Sequence, residues 1–155
     1  MMMISILYGT ETGNTEMLAE DVAGELSAEH EVTVCNLDSF APHEFSSSQL
    51  YLIICSTYGD GELPASAQGF AKILTEEQTD LSAVSFAVFG LGDSEYTDTY
   101  NFGSKHIAEI MTVRGAKQIG LRVVHDASGP DLPEDIALPW AQEAVALYQS
   151  QMEDA

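Results

Sequence analysis

Short apolar runs alternate along the whole chain with stretches whose apolar residues recur every three to four positions. The runs are too short for helices and mostly lack polar alternation, so they read as strands covered on both faces, and the periodic stretches read as amphipathic helices lying on them. Met3 to Tyr8 predicts a first strand. A helix from about Asn14 to Glu29 follows, with Leu18, Val22 and Leu26 in one stripe flanked by Ala19 and Ala23. Glu31 to Asn36 predicts a second strand, while Ser39 to Gln49 is too short and polar for more than a turn or two around Phe40 and Phe45. Leu50 to Cys55, apolar throughout, predicts a central strand. A helix near Ala65 to Leu74, a strand from Val84 to Phe89 and a helix from about Phe102 to Thr112, capped near Gly115, come next. Gln118 to Val124 alternates, with Ile119, Leu121 and Val123 on one face, as an edge strand would. The last helix is predicted to start at Pro139, a favoured first position, and to turn Trp140, Ala144 and Leu147 inward. Such alternation builds a single doubly wound α/β domain with a five-stranded parallel sheet and four or five helices. No repeat or linker interrupts it, so residues 1–151 read as one domain and 152–155 as a short acidic tail.

Charge narrows the partners. Twenty-five acidic against five basic residues give a formal charge of -20, which repels nucleic acid and anionic membranes and favours a basic protein surface, although solubility alone would also account for it. No apolar stretch approaches the ~20 residues needed to span a bilayer. The start, MMMISI, has neither a cationic region nor a cleavage site, so a cytoplasmic protein is expected. Cys35 and Cys55 sit in apolar runs without CxxC spacing and read as buried structural thiols. His30, His43, His106 and His125 are scattered, which gives no metal site.

In open parallel sheets ligands bind beyond the carboxyl ends of the strands, at a switch in strand order. Three glycine-bearing segments follow strands here. The first, YGTETGNT from Tyr8 to Thr15, offers the hydroxyls of Thr10, Thr12 and Thr15, the Asn14 amide, and Gly13 for close backbone approach. The helix behind it adds free N–H groups and a dipole worth ~0.3–1 kcal/mol per favourable charge. No Lys or Arg occurs before Lys72, and neither a Gly-Lys-Ser/Thr nor a GxGxxG motif is present. A phosphate here would be held by N–H groups and hydroxyls alone, which suits a bound mononucleotide better than one hydrolysed. Plain helix capping is the competing account. STYGDG (Ser56 to Gly61) and GLGDSEY (Gly90 to Tyr96) each set a tyrosine beside glycines at a strand end. Either alone is an ordinary rim residue. Together with the cradle, Tyr58 and Tyr96 suggest the two faces of a sandwich for a flat heteroaromatic ring.

YGTETGNTE, STYGDGELP and FGLGDSEY, in that order, resemble the phosphate loop and the two isoalloxazine loops of flavodoxins, especially the flavodoxin domains of diflavin reductases. GAKQIG followed by LPEDIALPW is similar to the tail of the short-chain, MioC-type flavodoxins, so the resemblance covers essentially the whole chain. It implies a flavodoxin-like sheet of order 2-1-3-4-5 and noncovalent FMN. Thr10, Glu11, Thr12, Gly13, Asn14 and Thr15 would surround the phosphate, and Tyr58 and Tyr96 would cover opposite ring faces. The backbone of Ser56, Thr57, Leu91, Gly92 and Asp93 would meet the polar edge, with Gly59, Asp60, Gly61 and Tyr100 completing the set. Two departures stand out: Glu11 puts a carboxylate in the phosphate loop that must point away from the anion, and Tyr100-Asn101 replaces a Phe-Asn pair expected one position earlier.

Tyr58-Gly59-Asp60 resembles the turn whose peptide rotates on reduction to offer the Gly59 carbonyl to the flavin N5, at little steric cost for glycine. Asp60, Glu62, Asp93, Glu95 and Asp98 would crowd the rim and oppose an anionic, fully reduced flavin. The implied function is a monomeric single-electron carrier, without catalytic residues, between a basic NADPH-type reductase and acceptor redox enzymes. The alternative is an FMN-dependent quinone or other NAD(P)H reductase. A phosphoacceptor receiver domain needs an acidic pair, an acceptor Asp and a Lys at three strand ends, where this chain has Thr10-Glu11, Ser56-Thr57 and Val124-His125. A flavin-free interaction module keeping the fold is the remaining reading.

Overall fold

The computed structural model describes residues 2–9, 14–56, 63, 65–92, 102–126 and 130–153. Strands β1 (Met3–Gly9), β2 (Glu31–Asn36), β3 (Leu50–Ser56), β4 (Ser85–Gly92), β5 (Lys117–Gln118) and β6 (Val123–Asp126) alternate with helices α1 (Asn14–Leu26), α2 (Ala65–Glu77), α3 (Phe102–Val113) and α4 (Pro133–Glu153). All pairings are parallel, in the order β2-β1-β3-β4, with β5 and β6 sharing the fifth position beside β4.

The apolar runs are continuous because both sheet faces are covered. Ile4, Ile6, Leu50, Leu52, Ile54 and Phe89 pack with α1 and α4, through Leu18, Val22, Leu26, Trp140 and Ala144. The intervening Leu7, Tyr51, Ile53, Cys55, Phe86 and Val88 pack with α2 and α3, through Phe70, Leu74, Ile107 and Met111. The period of two thus divides β1, β3 and β4 between two cores, whereas β2 at the sheet edge has no fully buried residue. No helix forms between β2 and β3. Two 3-10 turns, Leu37–Ser39 and Pro42–Glu44, stand there instead. Phe40 and Phe45, with ring centroids 4.8 Å apart, join Tyr51 (4.7 Å from Phe45) in closing that side. The Tyr51 hydroxyl accepts the Ser46 N–H at 2.7 Å, so this buried phenol is not left unsatisfied.

Two sequence expectations need correction. The predicted edge strand Gln118 to Val124 is broken. Gln118 pairs Phe86 and Val123 pairs Phe89, so five steps along the edge span three along β4, and the surplus bulges outward at Gly120 (φ +71). Ile119 stays buried while Leu121 is 88% exposed. The last helix starts at Pro133, and Pro139 lies inside it, where its ring nitrogen forfeits the bond to the Asp135 carbonyl. Trp140 and Ala144 face inward as predicted, whereas Leu147 is 38% exposed and the stripe continues through Val145 and Tyr148.

Helix ends reveal one strained residue. Gly115, beyond α3, has φ +100, which favours glycine, but Gln78, just past α2, has φ +50 with a Cβ to accommodate. Gln78→Gly is therefore expected to stabilise the fold by about 1 kcal/mol, read as a higher urea midpoint at unchanged slope.

Candidate functional site

Register aligns the ends of the central strands. Gly9 pairs Cys55, Cys55 pairs Gly90, Ser56 pairs Leu91, and Gly92 pairs Asp126. The chain therefore leaves β1, β3 and β4 at neighbouring points of one sheet edge, and the three glycine-bearing segments begin side by side. From β1 it winds outward to β2, then returns to β3 on the other side of β1. The switch point lies between Gly9 and Ser56. Helix α1 starts only five residues after Gly9, so its free N–H groups and positive dipole end belong to this crevice.

Of the predicted site residues, Thr15, Ser56, Leu91 and Gly92 are brought to this edge, and Asn14 is the first residue of α1. Thr10, Glu11, Thr12, Gly13, Thr57, Tyr58, Gly59, Asp60, Gly61, Asp93, Tyr96 and Tyr100 lie outside the described residues.

Gly9 was missed as a site residue by sequence reasoning. Its carbonyl accepts the hydroxyl of fully buried Thr15 at 3.0 Å and that of Ser56 at 3.5 Å. One oxygen thus ties together the start of the phosphate segment, its end, and the neighbouring strand. A Cβ at Gly9 would stand 3.0 Å from Ala67 Cβ, 3.2 Å from Leu37 Cδ1 and 3.3 Å from Cys55 Sγ. Glycine fits here because α2 lies so close to β1 that a Cβ would be tightly crowded. The available signal was a glycine closing a strand just ahead of a hydroxyl-rich turn.

Burial favours the neutral forms of Tyr8, Cys35 and Cys55. Burial, then the Glu16 carboxylate, raises the Tyr8 phenol, against a lowering hydrogen bond from Asn36. Burial pushes the Cys55 thiol up to about 12, and burial followed by Glu44 and Asp38 raises that of Cys35. Both thiols are free and protonated at neutral pH, Cys55 donating to the Ser56 carbonyl at 3.3 Å and Cys35 to that of Asn36 at 3.4 Å. Cys55 is buried as expected, whereas Cys35 is only partly covered. Among the described residues no three His, Cys, Asp or Glu side chains gather as a metal site, and no helix is long and apolar enough to cross a membrane. All five cations of the chain fall between Lys72 and Arg122.

A switch point flanked by a closely packed glycine and opened by a helix N-terminus is the ligand-binding arrangement of the doubly wound α/β class. The free N–H groups opening α1 suit an anionic group such as a phosphate monoester, with no cationic side chain nearby in sequence. The chain belongs to the flavodoxin family, whose model, described as Flavodoxin, matches residues 6–140. It is accordingly an FMN-binding electron-transfer protein. Protein MioC of Escherichia coli O157:H7 is 34% identical over 137 residues, covering 88% of this chain and 92% of that protein. NADPH-dependent diflavin oxidoreductase 1 of Schizosaccharomyces pombe is 34% identical over 141 residues, covering 88% of this chain but 24% of that enzyme. Among solved structures, a cysteine-to-serine variant of the Pseudomonas aeruginosa flavodoxin superposes with a TM-score of 0.81 at 29% identity, over 95% of this chain and 99% of the other.

Proposed function

We propose that this flavodoxin carries electrons one at a time, in the cytoplasm and as a monomer, from a reductase with a basic docking surface to acceptor redox enzymes, and has no substrate of its own. The observation that carries this reading is the convergence of three strand ends at the switch point, with the Gly9 carbonyl fastening both ends of the phosphate segment. Two free thiols suit a reducing compartment, and a charge of -20 suits a basic partner.

In this reading the hydroxyls of Thr10 and Thr12, the Asn14 amide and the N–H groups opening α1 hold the phosphate, and the Glu11 carboxylate points away from it; the Thr15 hydroxyl, expected to join them, is instead fully buried and spends its proton on the Gly9 carbonyl. Tyr58 and Tyr96 cover the ring faces and exclude water from them. The backbone of Ser56, Thr57, Gly59, Leu91, Gly92 and Asp93 orients the polar edge, with Asp60, Gly61 and Tyr100 beside it. Bound FMN supplies the ability to accept and release single electrons, and the chain sets how tightly each redox state is held.

Anaerobic reductive titration with added FMN, followed by visible absorbance, tests this. Two resolved one-electron steps are the expected result. A single two-electron step, with NADPH oxidised in the absence of any partner, would favour an FMN-dependent quinone or other NAD(P)H reductase, and absence of flavin binding would overturn both. Electron delivery from a basic reductase should also slow as ionic strength rises, and a salt-independent rate would argue against the docking surface.

A further inference from the structure

Tyr8 is the last side chain of β1 before Gly9 and is buried in the core that the sheet shares with α1 and α4. Its neighbour across the β1–β2 ladder is Asn36, the last residue of β2, and the first turn of α1 carries Glu16. The phenol hydrogen-bonds with both of these side chains. Donor and acceptor roles follow from what each group can offer. The Asn36 side-chain oxygen is engaged by the Asp38 N–H at 3.1 Å, so its NH2 is the end left to meet the phenol, and an ionised carboxylate can only accept. Asn36 therefore donates to the phenol oxygen, and the phenol donates its own proton to Glu16. The phenol's acidity agrees with these roles: burial, the largest influence, raises its pKa, Glu16 raises it further, and the Asn36 bond alone lowers it.

Position gives these two bonds a consequence. A carboxylate in the first turn of a helix is attracted by the free N–H groups and the positive dipole end, and in α1 those are the groups that suit a phosphate. Glu16, exposed and third in the helix, is a built-in competitor for them. β2 lies on the side of β1 away from β3, whereas the switch point opens on the β3 side, between Gly9 and Ser56. A phenol tied to Asn36 is held toward β2, and the carboxylate that it bonds is held there with it.

We propose that Tyr8 is a positioning residue for the phosphate end of the cofactor: anchored by Asn36, it draws the Glu16 carboxylate toward β2 and leaves the opening N–H groups of α1 to the phosphate. The inference rests on the FMN reading above.

The test uses the full chain with Tyr8→Phe, Glu16→Gln, the double variant, and Glu20→Gln as a control that removes an exposed carboxylate one turn further along α1. Affinities for FMN and for riboflavin, which lacks the phosphate, are read from quenching of flavin fluorescence, and folding from the melting temperature. Tyr8→Phe should weaken FMN binding about fivefold, the effect of one charge at a helix terminus, and leave riboflavin binding as in wild type. The loss should shrink as salt screens the released carboxylate. Glu16→Gln should bind FMN at least as tightly as wild type. The double variant should match Glu16→Gln, since the phenol then has no carboxylate to hold, and Glu20→Gln should stay within about twofold of wild type.

A loss that persists in the Glu16→Gln background, or that riboflavin shares, would reduce Tyr8 to a packing residue and overturn the proposal, as would unchanged FMN affinity in Tyr8→Phe. Should Tyr8→Phe fail to fold, Asn36→Ala, which removes the anchor, decides on the same criteria, alone and combined with Glu16→Gln. Failure of wild type to bind FMN would overturn the flavin reading and this inference with it, whereas wild-type binding with indifferent variants overturns this inference alone.

Discussion

Replacing Gly9 with alanine should weaken FMN binding more than tenfold while lowering stability by about 1–3 kcal/mol. The new methyl group would meet Ala67 Cβ at 3.0 Å, Leu37 Cδ1 at 3.2 Å and Cys55 Sγ at 3.3 Å. Leu37 can yield, because its contact is the far end of a flexible side chain. Ala67 is fixed on α2 and Cys55 on the adjacent strand, so the β1 backbone must retreat instead. That backbone carries the carbonyl on which Thr15 and Ser56 converge, and moving it displaces both ends of the phosphate segment together. Each 1.4 kcal/mol lost from the cradle is tenfold in affinity. A second change separates this account from general destabilisation. Ala67→Gly, added to Gly9→Ala, removes the tightest contact and should restore FMN affinity even though a glycine inside α2 costs about 1 kcal/mol of stability. Flavin titration and urea unfolding of the three variants supply both quantities. Unimpaired binding in Gly9→Ala would show that the carbonyl does not organise the cradle.

That glycine also shows which parts of the molecule were readable from the chain. The central strands and α1 were legible because their information is local: a buried strand is an unbroken apolar run, an amphipathic helix is a stripe, and β2 falls on the residues the sequence indicates. The placement of three glycine-bearing segments at strand ends followed from the same order of elements. Other features depend on partners distant in sequence. Nothing near Gly9 announces that Ala67 will press on it. The alternation from Gln118 to Val124 satisfies a strand template, and only the spacing of β4 shows that two residues are surplus and that Leu121 must point outward. The start of α4 was misjudged among two prolines: the helix-opening preference that suited Pro139 is fulfilled by Pro133, followed by Glu134 and Asp135 in the first turn.

The buried thiol beneath the site leads to the other large effect, which is alkaline. Cys55 ionises with an ordinary value of 9.0, but burial pushes it to about 12 in the folded chain. Between those values the unfolded chain releases a proton that the folded chain keeps, so stability falls as pH rises. The contribution is fully present below pH 9. It declines by about 1.4 kcal/mol for each pH unit above that and amounts to something on the order of 4 kcal/mol by pH 12. Tyr8, Tyr51 and Tyr148 are raised from 10.0, each chiefly by burial, and steepen the same limb at higher pH. Cys55→Ala isolates the thiol. At pH 7 the variant should be less stable than wild type because it leaves a cavity, and above pH 9 the difference should close and then reverse, as wild type alone carries the penalty. Urea midpoints measured from pH 7 to 11 test this, and a gap that stayed constant would refute it. Cys55 pairs with Gly9 on one side and Gly90 on the other, so loss of this packing unfastens the strands from which the site loops leave. Flavin release and unfolding should therefore coincide on the alkaline side in wild type, and both should move to higher pH, relative to their values at neutrality, once the thiol is removed.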